Sequence, residues 1–165
     1  MNQLPNVLEN KTKIRFQDCD PFNHLNNGKY TNYFMNHRED VLIKHYDIDI
    51  YKMAKTVGKS WVSSSNQIVY LKPAFLMETV TITSQLIYYN DSELRVEMRM
   101  YNEDKTQLKS IIWCSFVHFN LLTQKRDIHS EELMNLFKNV YNPVNELIFE
   151  ERIISIKNNK IAKNN

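Results

Sequence analysis

The sequence contains little glycine and little cysteine. Only two glycines, Gly28 and Gly58, occur among 165 residues, so no glycine-rich loop can cradle phosphates, which excludes P-loop enzymes, kinases and dinucleotide-binding dehydrogenases. The two cysteines, Cys19 and Cys114, lie far apart and outside any metal-ligand spacing. We therefore predict neither a disulfide framework nor a metal site, and a reducing compartment suits the chain best.

Long apolar runs and strong charge are also missing. No stretch of about 18 or more apolar residues occurs, and the N-terminal residues lack the apolar segment of a secretory signal. The formal net charge of +2 is too small to indicate a nucleic-acid partner. These observations predict a cytoplasmic protein that binds neither membrane nor nucleic acid.

Length and composition are those of one globular domain. Hydrophobic residues make up 42% of the 165 residues and charged residues 24%, enough to bury a core without disulfides or metals. We predict a single domain over residues 1–145 and a C-terminal extension over 146–165 that is partly disordered. The stretch after Glu151 is rich in Lys and Asn and is expected to fray.

Extended segments make up most of the chain. Thr12–Asp18 predicts a short strand with Ile14 and Phe16 on its buried face. Segments rich in Val, Ile, Thr and aromatic residues predict four further strands, at Ser60–Lys72, Thr79–Tyr89, Glu93–Tyr101 and Gln107–Asn120. In the third of these, apolar side chains alternate with charged ones, which indicates one covered face and one wet face: Leu94, Val96, Met98 and Met100 against Arg95, Glu97 and Arg99.

One long helix precedes these strands. Apolar residues at three- and four-residue spacings predict it from Gly28 to His45, interrupted by a polar patch at Asn36–Asp40. We interpret this patch, together with His45, as a solvated face, because its histidines and acids do not match metal-ligand spacings. Residues 47–59 are predicted to form a mobile connection.

A second, shorter helix is predicted at Ser130–Val140, with Ser130 as its cap. One long helix followed by consecutive strands with short loops indicates the α+β class. The expected architecture is an antiparallel sheet wrapped around a helix.

The segment Phe16–Phe34 runs from a strand through an acidic turn into the start of the long helix. Backbone N–H groups at a helix N-terminus lack intrahelical partners and carry partial positive charge, so they stabilise an oxyanion. The turn brings the Asp20 carboxylate to a position where it can face a carbonyl held on the N–H of Asn27. This pairing outlines an acyl-transfer site.

Several motifs in this region match a known family. A strand-ending D-x-D pattern is present as Asp18-Cys19-Asp20, and an H-x-N-N-x-x-Y element runs from His24 to Tyr30. A Y-x-x-P-A segment ends at Ala74, and Phe116–Asn120 matches a last core strand. The chain thus resembles the hotdog-fold thioesterases of the 4-hydroxybenzoyl-CoA and acyl-CoA thioesterase type over roughly residues 14–140. The plant acyl-ACP thioesterases share the second element.

This resemblance implies a hotdog fold and hydrolysis of acyl thioesters of coenzyme A or acyl carrier protein to free acid and thiol. It implies that Asp20 is the nucleophile or the general base, and that the N–H of Asn27 polarises the carbonyl. Coenzyme A is then part of the substrate, and no separate cofactor is expected. The implied substrate-binding residues are Asn27, His24, Asn26, Tyr30 and Lys72.

The resemblance also implies a homodimer or homotetramer in which protomers pair at their sheet edges and complete the site between them. One departure from the family concerns the helix. Some relatives carry a carboxylate one or two turns into it, where this chain has Met35 and Asn36. The catalytic role therefore falls on Asp20.

Structural readings of the same residues remain open. Asp20 can be a turn carboxylate, and Asn26 and Asn27 are good helix caps. His24 is either a base or substrate contact, or a turn histidine bonded to a backbone carbonyl. Cys19 is assigned to packing, because strand alternation turns it away from Asp20.

Two other functions remain possible from the sequence. A non-catalytic hotdog module could bind acyl thioesters or a protein partner, although the intact Asp20 argues against it. Dehydration of hydroxyacyl thioesters normally needs a histidine with a carboxylate in a different motif around the helix. The D-x-D segment does not resemble that motif.

Overall fold

The computed structural model describes residues 3–162, with side chains described as far as Asn159. These residues form six strands and four α-helices. The strands are β1 (Leu8–Lys13), β2 (Lys59–Tyr70), β3 (Thr79–Tyr89), β4 (Glu93–Asn102), β5 (Leu108–Asn120) and β6 (Lys125–Arg126). The helices are α1 (Tyr30–Tyr46), α2 (Ile50–Thr56), α3 (Glu131–Val140) and α4 (Phe149–Ala162).

The strands form one antiparallel sheet in the order β1-β3-β4-β5-β2, with the short β6 added to one end of β5. Strands that follow one another from β3 to β5 are hydrogen-bonded neighbours. The connection from β1 through α1 and α2 to β2 crosses the whole sheet, because β1 and β2 lie at opposite ends of the order. This long connection carries α1 across one face of the sheet, so the sheet can wrap around the helix.

Helix α1 fills the inner face of the sheet. Its buried side chains belong to one cluster with inward residues of β3, β4 and β5, and Phe34 and Met98 are fully buried within it. Burying a side chain of this size contributes about 1.5–3 kcal/mol. The α+β arrangement with a sheet wrapped around a helix is confirmed.

The predicted strand at Thr12–Asp18 is wrong. The strand lies earlier, at Leu8–Lys13, and Phe16–Asp18 forms a single 3-10 turn. Ile14 is buried as expected, but Phe16 is 78% exposed. Alternation over a few residues does not distinguish a paired strand from an extended segment that turns after one buried residue.

The remaining strands, α1 and α3 are confirmed to within two residues of their predicted ends, and Ser130 Oγ accepts a hydrogen bond from the N–H of Leu133 at 3.3 Å. The predicted mobile connection at residues 47–59 is wrong, because Ile50–Thr56 forms α2. Asp49 caps this helix by accepting hydrogen bonds from the N–H groups of Tyr51 and Lys52. An aspartate N-cap was therefore the overlooked signal.

The outer face of the sheet is not wholly wet, which corrects the expectation for β4. Helix α4 covers it: Phe149 packs against Trp113, and Arg152 contacts both carboxylate oxygens of Glu97 at 2.9 and 3.1 Å. Burial raises the pKa of Glu97, but hydrogen bonds from Arg152 and the charge of Arg99 outweigh this effect and lower the pKa. The prediction that the chain frays after Glu151 is wrong as far as Ala162, whereas residues 163–165 lie outside the described range.

The polar patch on α1 is a solvated face only in part. Asn36 and Asp40 are exposed, as predicted, but His37 and Arg38 are 2% and 7% exposed. His37 contacts the Asn10 side chain through Nδ1 at 2.6 Å and Ser84 Oγ through Nε2 at 3.0 Å, so β1 and β3 satisfy both ring nitrogens. No helix within residues 3–162 is long and apolar enough to cross a membrane.

Candidate active site

The Asp20 turn is a tight loop that its own carboxylate holds closed. Cys19 and Leu25 form an antiparallel bridge, and the N–H of Asp20 donates to the carbonyl of His24 at 2.8 Å. Asp20 Oδ1 accepts from the N–H groups of Phe22 and His24 at 2.9 and 3.1 Å. Asn23 at φ 60° completes the reversal, a conformation that asparagine tolerates well. The structural reading of Asp20 is therefore correct for one of its two oxygens.

The two aspartates of the D-x-D pattern are used differently. Asp18 Oδ2 accepts a hydrogen bond from the Tyr33 hydroxyl at 2.8 Å, and that hydroxyl in turn accepts from the N–H of Arg15 at 3.0 Å. Burial and the contact with Asp18 raise the pKa of Tyr33 to about 12. Asp18 thus ties helix α1 to the preceding turn. Within residues 3–162, Asp20 Oδ2 accepts no hydrogen bond and forms no ion pair.

The start of the helix is a 3-10 turn, Asn27–Lys29, that leads directly into α1. Asn26 caps it, because its side-chain oxygen accepts from the N–H of Gly28 at 2.9 Å. The carbonyl of Asn27 accepts from the Tyr70 hydroxyl at 3.0 Å. The N–H of Asn27 makes no hydrogen bond to any described residue. It is therefore a donor available at the positive end of the helix.

The opposite wall is the segment after β2, and a buried lysine anchors it. The side chain of Lys109 is 2% exposed, and Nζ lies 2.8 Å from the Pro73 carbonyl and 2.9 Å from Glu78 Oε1. Its own carbonyl accepts the N–H groups of Leu71 and Lys72. Residues 71–78 are thus held rigidly opposite the Asp20 turn.

A cleft of about 250 Å³ lies between the turn, the helix start and this wall. It is lined by Asp20, His24, Leu25, Asn27, Tyr30, Tyr70, Leu71, Lys72 and Pro73. Five of the six residues proposed from the sequence therefore meet in one place. Asn26 does not line the cleft and acts as the cap of the helix start.

Tyr30 forms part of the cleft but is itself 2% exposed. Its hydroxyl accepts from the N–H of Ala74 at 3.2 Å, and its ring meets that of Tyr70 edge to face at 5.0 Å. Burial raises its pKa. Tyr30 thus joins helix start and wall, and it offers little surface to a ligand.

The ring of His24 makes no hydrogen bond within residues 3–162, so the expected bond to a backbone carbonyl is not found. The ring packs edge to face on Phe75 with centroids 5.1 Å apart. Cys19 packs against the main core, and its Sγ contacts the Arg15 carbonyl at 3.4 Å. Burial and the neighbouring Asp18 and Asp20 raise the pKa of this thiol, which disfavours a thiolate nucleophile.

Lys109 and Glu78 support the site but were not found from the sequence, and Tyr70 was recognised only as the first residue of the Y-x-x-P-A segment, without a role in the site. A single lysine inside the apolar β5 sequence was the available signal, because lysine is rarely buried without a partner. Its partners lie elsewhere in the chain and become neighbours only when β2 and β5 pair. Within residues 3–162 no group of three or more His, Cys, Asp or Glu side chains can hold a metal ion.

Comparison with known proteins gives the class of this protein. Residues 14–137 match the family described as the thioesterase-like superfamily. This match spans most of the chain and includes the Asp20 turn, α1 and strands β2 to β6, whereas β1 lies before it. The chain belongs to this superfamily, and it has the hotdog fold of thioesterases.

Individual relatives agree with this assignment. The long-chain acyl-CoA thioesterase FadM of Escherichia coli is 27% identical over 118 residues, which cover 72% of this chain and 87% of FadM. The probable thioesterase YbaW from Escherichia coli superposes with a TM-score of 0.69 at 25% identity, covering 81% and 98% of the two chains. A Staphylococcus aureus protein solved in complex with CoA superposes with a TM-score of 0.76 at 16% identity, covering 90% and 92%.

Proposed function

We propose that this protein hydrolyses acyl-CoA thioesters with Asp20 as nucleophile or general base. One observation carries the assignment: Asp20 Oδ2 and the N–H of Asn27, neither of them hydrogen-bonded within residues 3–162, belong to residues that line the same cleft. A carboxylate oxygen and a positively polarised donor are the two groups that attack on a thioester carbonyl requires. Asp18 is not assigned this role, because its Oδ2 already accepts a hydrogen bond from the Tyr33 hydroxyl.

In the proposed reaction the thioester oxygen accepts a hydrogen bond from the N–H of Asn27, which stabilises the negative charge that develops there. In one route Asp20 Oδ2 bonds to the carbonyl carbon, the C–S bond breaks, and water then opens the mixed anhydride. In the other route Asp20 takes a proton from a water molecule whose oxygen attacks the carbon directly. Both routes release a carboxylic acid and a thiol, and the thiolate takes up a proton.

The preference for coenzyme A over acyl carrier protein is supported by the name of FadM, which is a long-chain acyl-CoA thioesterase. Lys72 is exposed and lines the cleft, so it can contact a phosphate of the coenzyme. A carrier-protein substrate is the alternative. If acyl-CoA is turned over no more efficiently than the matching carrier-protein thioester, that alternative is favoured.

The substitution Asp20→Asn tests the catalytic assignment, with thiol release from a panel of acyl-CoA thioesters as the measurement. Asparagine keeps an oxygen to accept the N–H groups of Phe22 and His24, so the fold is retained. We expect kcat to fall by about two orders of magnitude or more. Asp91→Asn, the same change at an exposed hairpin residue, is the control and should keep its turnover. Undiminished turnover in Asp20→Asn would transfer the role to His24 or another residue.

A single turnover in ¹⁸O-labelled water tests for the covalent route. Label in the peptide that contains Asp20 is expected when water opens a mixed anhydride at the side-chain carbon, and it identifies Asp20 as the nucleophile. Label in the released acid alone is expected when Asp20 only removes a proton, and also when water opens the anhydride at the acyl carbon. Mass spectrometry of the digest and of the acid reads both outcomes from one sample.

We also propose that the protein is a homodimer formed through β2. This strand is an edge of the sheet, its residues 62–67 are all exposed, and no charged residue or proline occurs from Ser60 to Leu71. An edge with no such protection pairs readily with another strand. Tyr70, Leu71 and Lys72 of the cleft follow directly, so a partner at this edge lies beside the site.

The substitution Asn66→Lys tests this interface, because it places a charge within the pairing strand. Sedimentation velocity should show a dimer for the wild type and a shift toward monomer for the variant, with turnover per chain reduced in parallel. Asn135→Lys, the same change on the exposed face of α3, should remain dimeric. A wild type that sediments as a monomer at every concentration contradicts the proposal.

The cytoplasm is the proposed location. Cys19 and Cys114 are both free thiols, and neither pairs with the other. A chain with two unpaired thiols suits a reducing compartment. Fractionation of cells that express the tagged protein tests this location.

A further inference from the structure

A second cavity lies at the other half of α1, where the helix, the sheet and α3 meet. Its volume is about 60 Å³. It shares no lining residue with the Asp20 cleft. The lining is largely apolar. Its residues with polar groups are Arg38, Tyr46, Trp61, Ser84 and Gln85, and its apolar residues are Leu8, Leu42, Ile48, Leu86, Leu94, Val96, Leu136, Phe137 and Val140.

Arg38 carries the charge of this cavity. The residue is 7% exposed, and its guanidinium forms neither an ion pair nor a hydrogen bond within residues 3–162. Its guanidinium carbon lies 4.1 Å from the centre of the Phe116 ring. Burial lowers the pKa of Arg38 to about 10, which still leaves it charged at neutral pH. A buried cation that lacks an anion is costly to keep unless something else compensates it.

The other polar groups of the lining are already paired within the protein. Ser84 Oγ contacts His37 Nε2 at 3.0 Å, and Gln85 donates to the Asn142 carbonyl at 2.9 Å. The Tyr46 hydroxyl donates to the Pro5 carbonyl at 2.6 Å. The Trp61 indole N–H donates to His129 Nε2 at 3.0 Å. Arg38 is therefore the polar member of the lining whose donors are left for a ligand.

No lining residue is acidic, and Arg38 is the one cation in the set. One guanidinium in an apolar enclosure fits a ligand with one carboxylate and an otherwise apolar body. A guanidinium holds a carboxylate through two parallel N–H···O bonds. A volume of about 60 Å³ corresponds to roughly five water-sized groups, since one such group occupies about 10–15 Å³. This size fits a short chain.

We propose that this cavity is a binding site for an apolar monocarboxylate of about four to six carbon atoms, with the carboxylate on Arg38 and the chain against the apolar residues of α3 and β4. The proposed ligand follows from the charge and the lining alone. It does not depend on Asp20 or on hydrolysis. It belongs to the same chemical class as the free acid that the proposed hydrolysis releases.

The probe is hexanoate, titrated into the full-length wild type while amide NMR shifts are followed. We expect saturable shifts centred on residues 38, 84 and 116. Hexan-1-ol, which has the same chain without the charge, should bind at least tenfold more weakly, because it cannot form charge-assisted bonds to the guanidinium. Shifts scattered over the surface, or equal binding of acid and alcohol, would overturn the proposal.

Arg38→Met removes the charge while keeping an apolar chain of similar length, and it should weaken hexanoate binding about tenfold or more. Arg95→Met is the matched control, because Arg95 also lies over aromatic rings and forms no ion pair within residues 3–162, yet does not line the cavity. It should bind as the wild type does. Equal affinities for Arg38→Met and the wild type contradict the assignment.

Two further variants keep the test decisive if Arg38→Met does not fold. Arg38→Lys retains the charge and should keep affinity within a few fold, whereas Leu136→Phe adds volume to the cavity and should weaken binding without removing charge. Unchanged binding in Leu136→Phe would place hexanoate elsewhere and overturn the proposal. Asp20→Asn should bind hexanoate as the wild type does. Failure of the proposed binding site can therefore be distinguished from failure of the proposed hydrolysis.

Discussion

Two buried cations lie in different regions of the core, and within residues 3–162 only one of them forms an ion pair. Lys109, behind the cleft, is paired with Glu78 at 2.9 Å and with the Pro73 carbonyl at 2.8 Å. Arg38, beside the second cavity, has a Phe116 ring at 4.1 Å and no carboxylate in contact within the same residues, although the charge of Glu39 acts on it from farther away. Both are less than one-tenth exposed. The difference separates a cation that holds the fold together from one that is available to a ligand.

The difference has a physical origin. A buried ion pair contributes little net stability compared with an apolar replacement of the whole pair, but loss of one partner leaves a stranded charge. Lys109 therefore fixes the wall of the cleft in one position. Arg38 already lacks a partner, so removing it strands nothing. A substitution at Lys109 should therefore cost much more stability than one at Arg38.

Lys109→Met should produce the largest loss. It leaves Glu78 without its cation and frees the Pro73 carbonyl, and we expect the free energy of unfolding to fall by about 3–5 kcal/mol. Urea unfolding followed by tryptophan fluorescence measures this change. Lys11→Met, which removes an exposed pair with Glu103, should cost less than about 1 kcal/mol. A Lys109→Met variant as stable as Lys11→Met would end the distinction between the two regions.

His37, next to Arg38, should give the second largest effect, as a dependence on pH. Burial lowers its pKa from 6.5 to about 4, so between these values the unfolded chain binds a proton that the folded chain does not. Stability is therefore complete above pH 6.5 and falls as the pH is lowered toward 4, by about 3 kcal/mol. Burial also lowers the pKa values of His118 and His129, which act in the same direction.

Urea unfolding at a series of pH values measures this dependence. His37→Gln should unfold more easily at pH 7 but lose less stability between pH 6.5 and 4. His45→Gln, at the end of the same helix, is the control. If the free energy of unfolding changes with pH in the same way for His37→Gln and the wild type, a protonated His37 is tolerated beside Arg38.

Arg38→Met should have the smallest effect on stability. The lost contact with Phe116 costs about 0.5–2 kcal/mol, and relief of an unpaired buried charge offsets it. We expect the free energy of unfolding to change by about 1 kcal/mol or less in either direction. A loss of about 3 kcal/mol would make Arg38 equivalent to Lys109 and assign it a structural role.

Local patterns were sufficient for most of the fold. The predicted strand Thr79–Tyr89 matches β3 at both ends, and Ser130 caps α3, because strand composition and helix caps act within a few residues. Some errors have local causes: the Asp49 cap of α2 was overlooked, and Phe16 is exposed because the chain turns after Ile14. The error for α4 has a distant cause, because this helix is stabilised by Glu97, a residue far away in sequence.

The site was predictable to the extent that it is local. Asp20, Asn27 and Tyr30 lie on one continuous motif, and the turn brings them to one cleft. Their roles in catalysis stay predictions. The different uses of Asp18 and Asp20 depend on where the Tyr33 hydroxyl reaches, and the burial of Lys109 and Arg38 depends on packing between distant elements. Apart from the single lysine in the apolar β5 sequence, no residue pattern along the chain records these contacts.

The closed Asp20 turn limits which acid can occupy this position. One carboxylate oxygen is committed to the backbone N–H groups two and four residues further along the chain, which a side chain with a single methylene can reach. A glutamate has the same acidic group, but its extra carbon displaces the oxygen from the loop. Aspartate and glutamate are thus not exchangeable at this position, and the shape of the backbone, as well as the chemistry of the reaction, constrains how the sequence can evolve here.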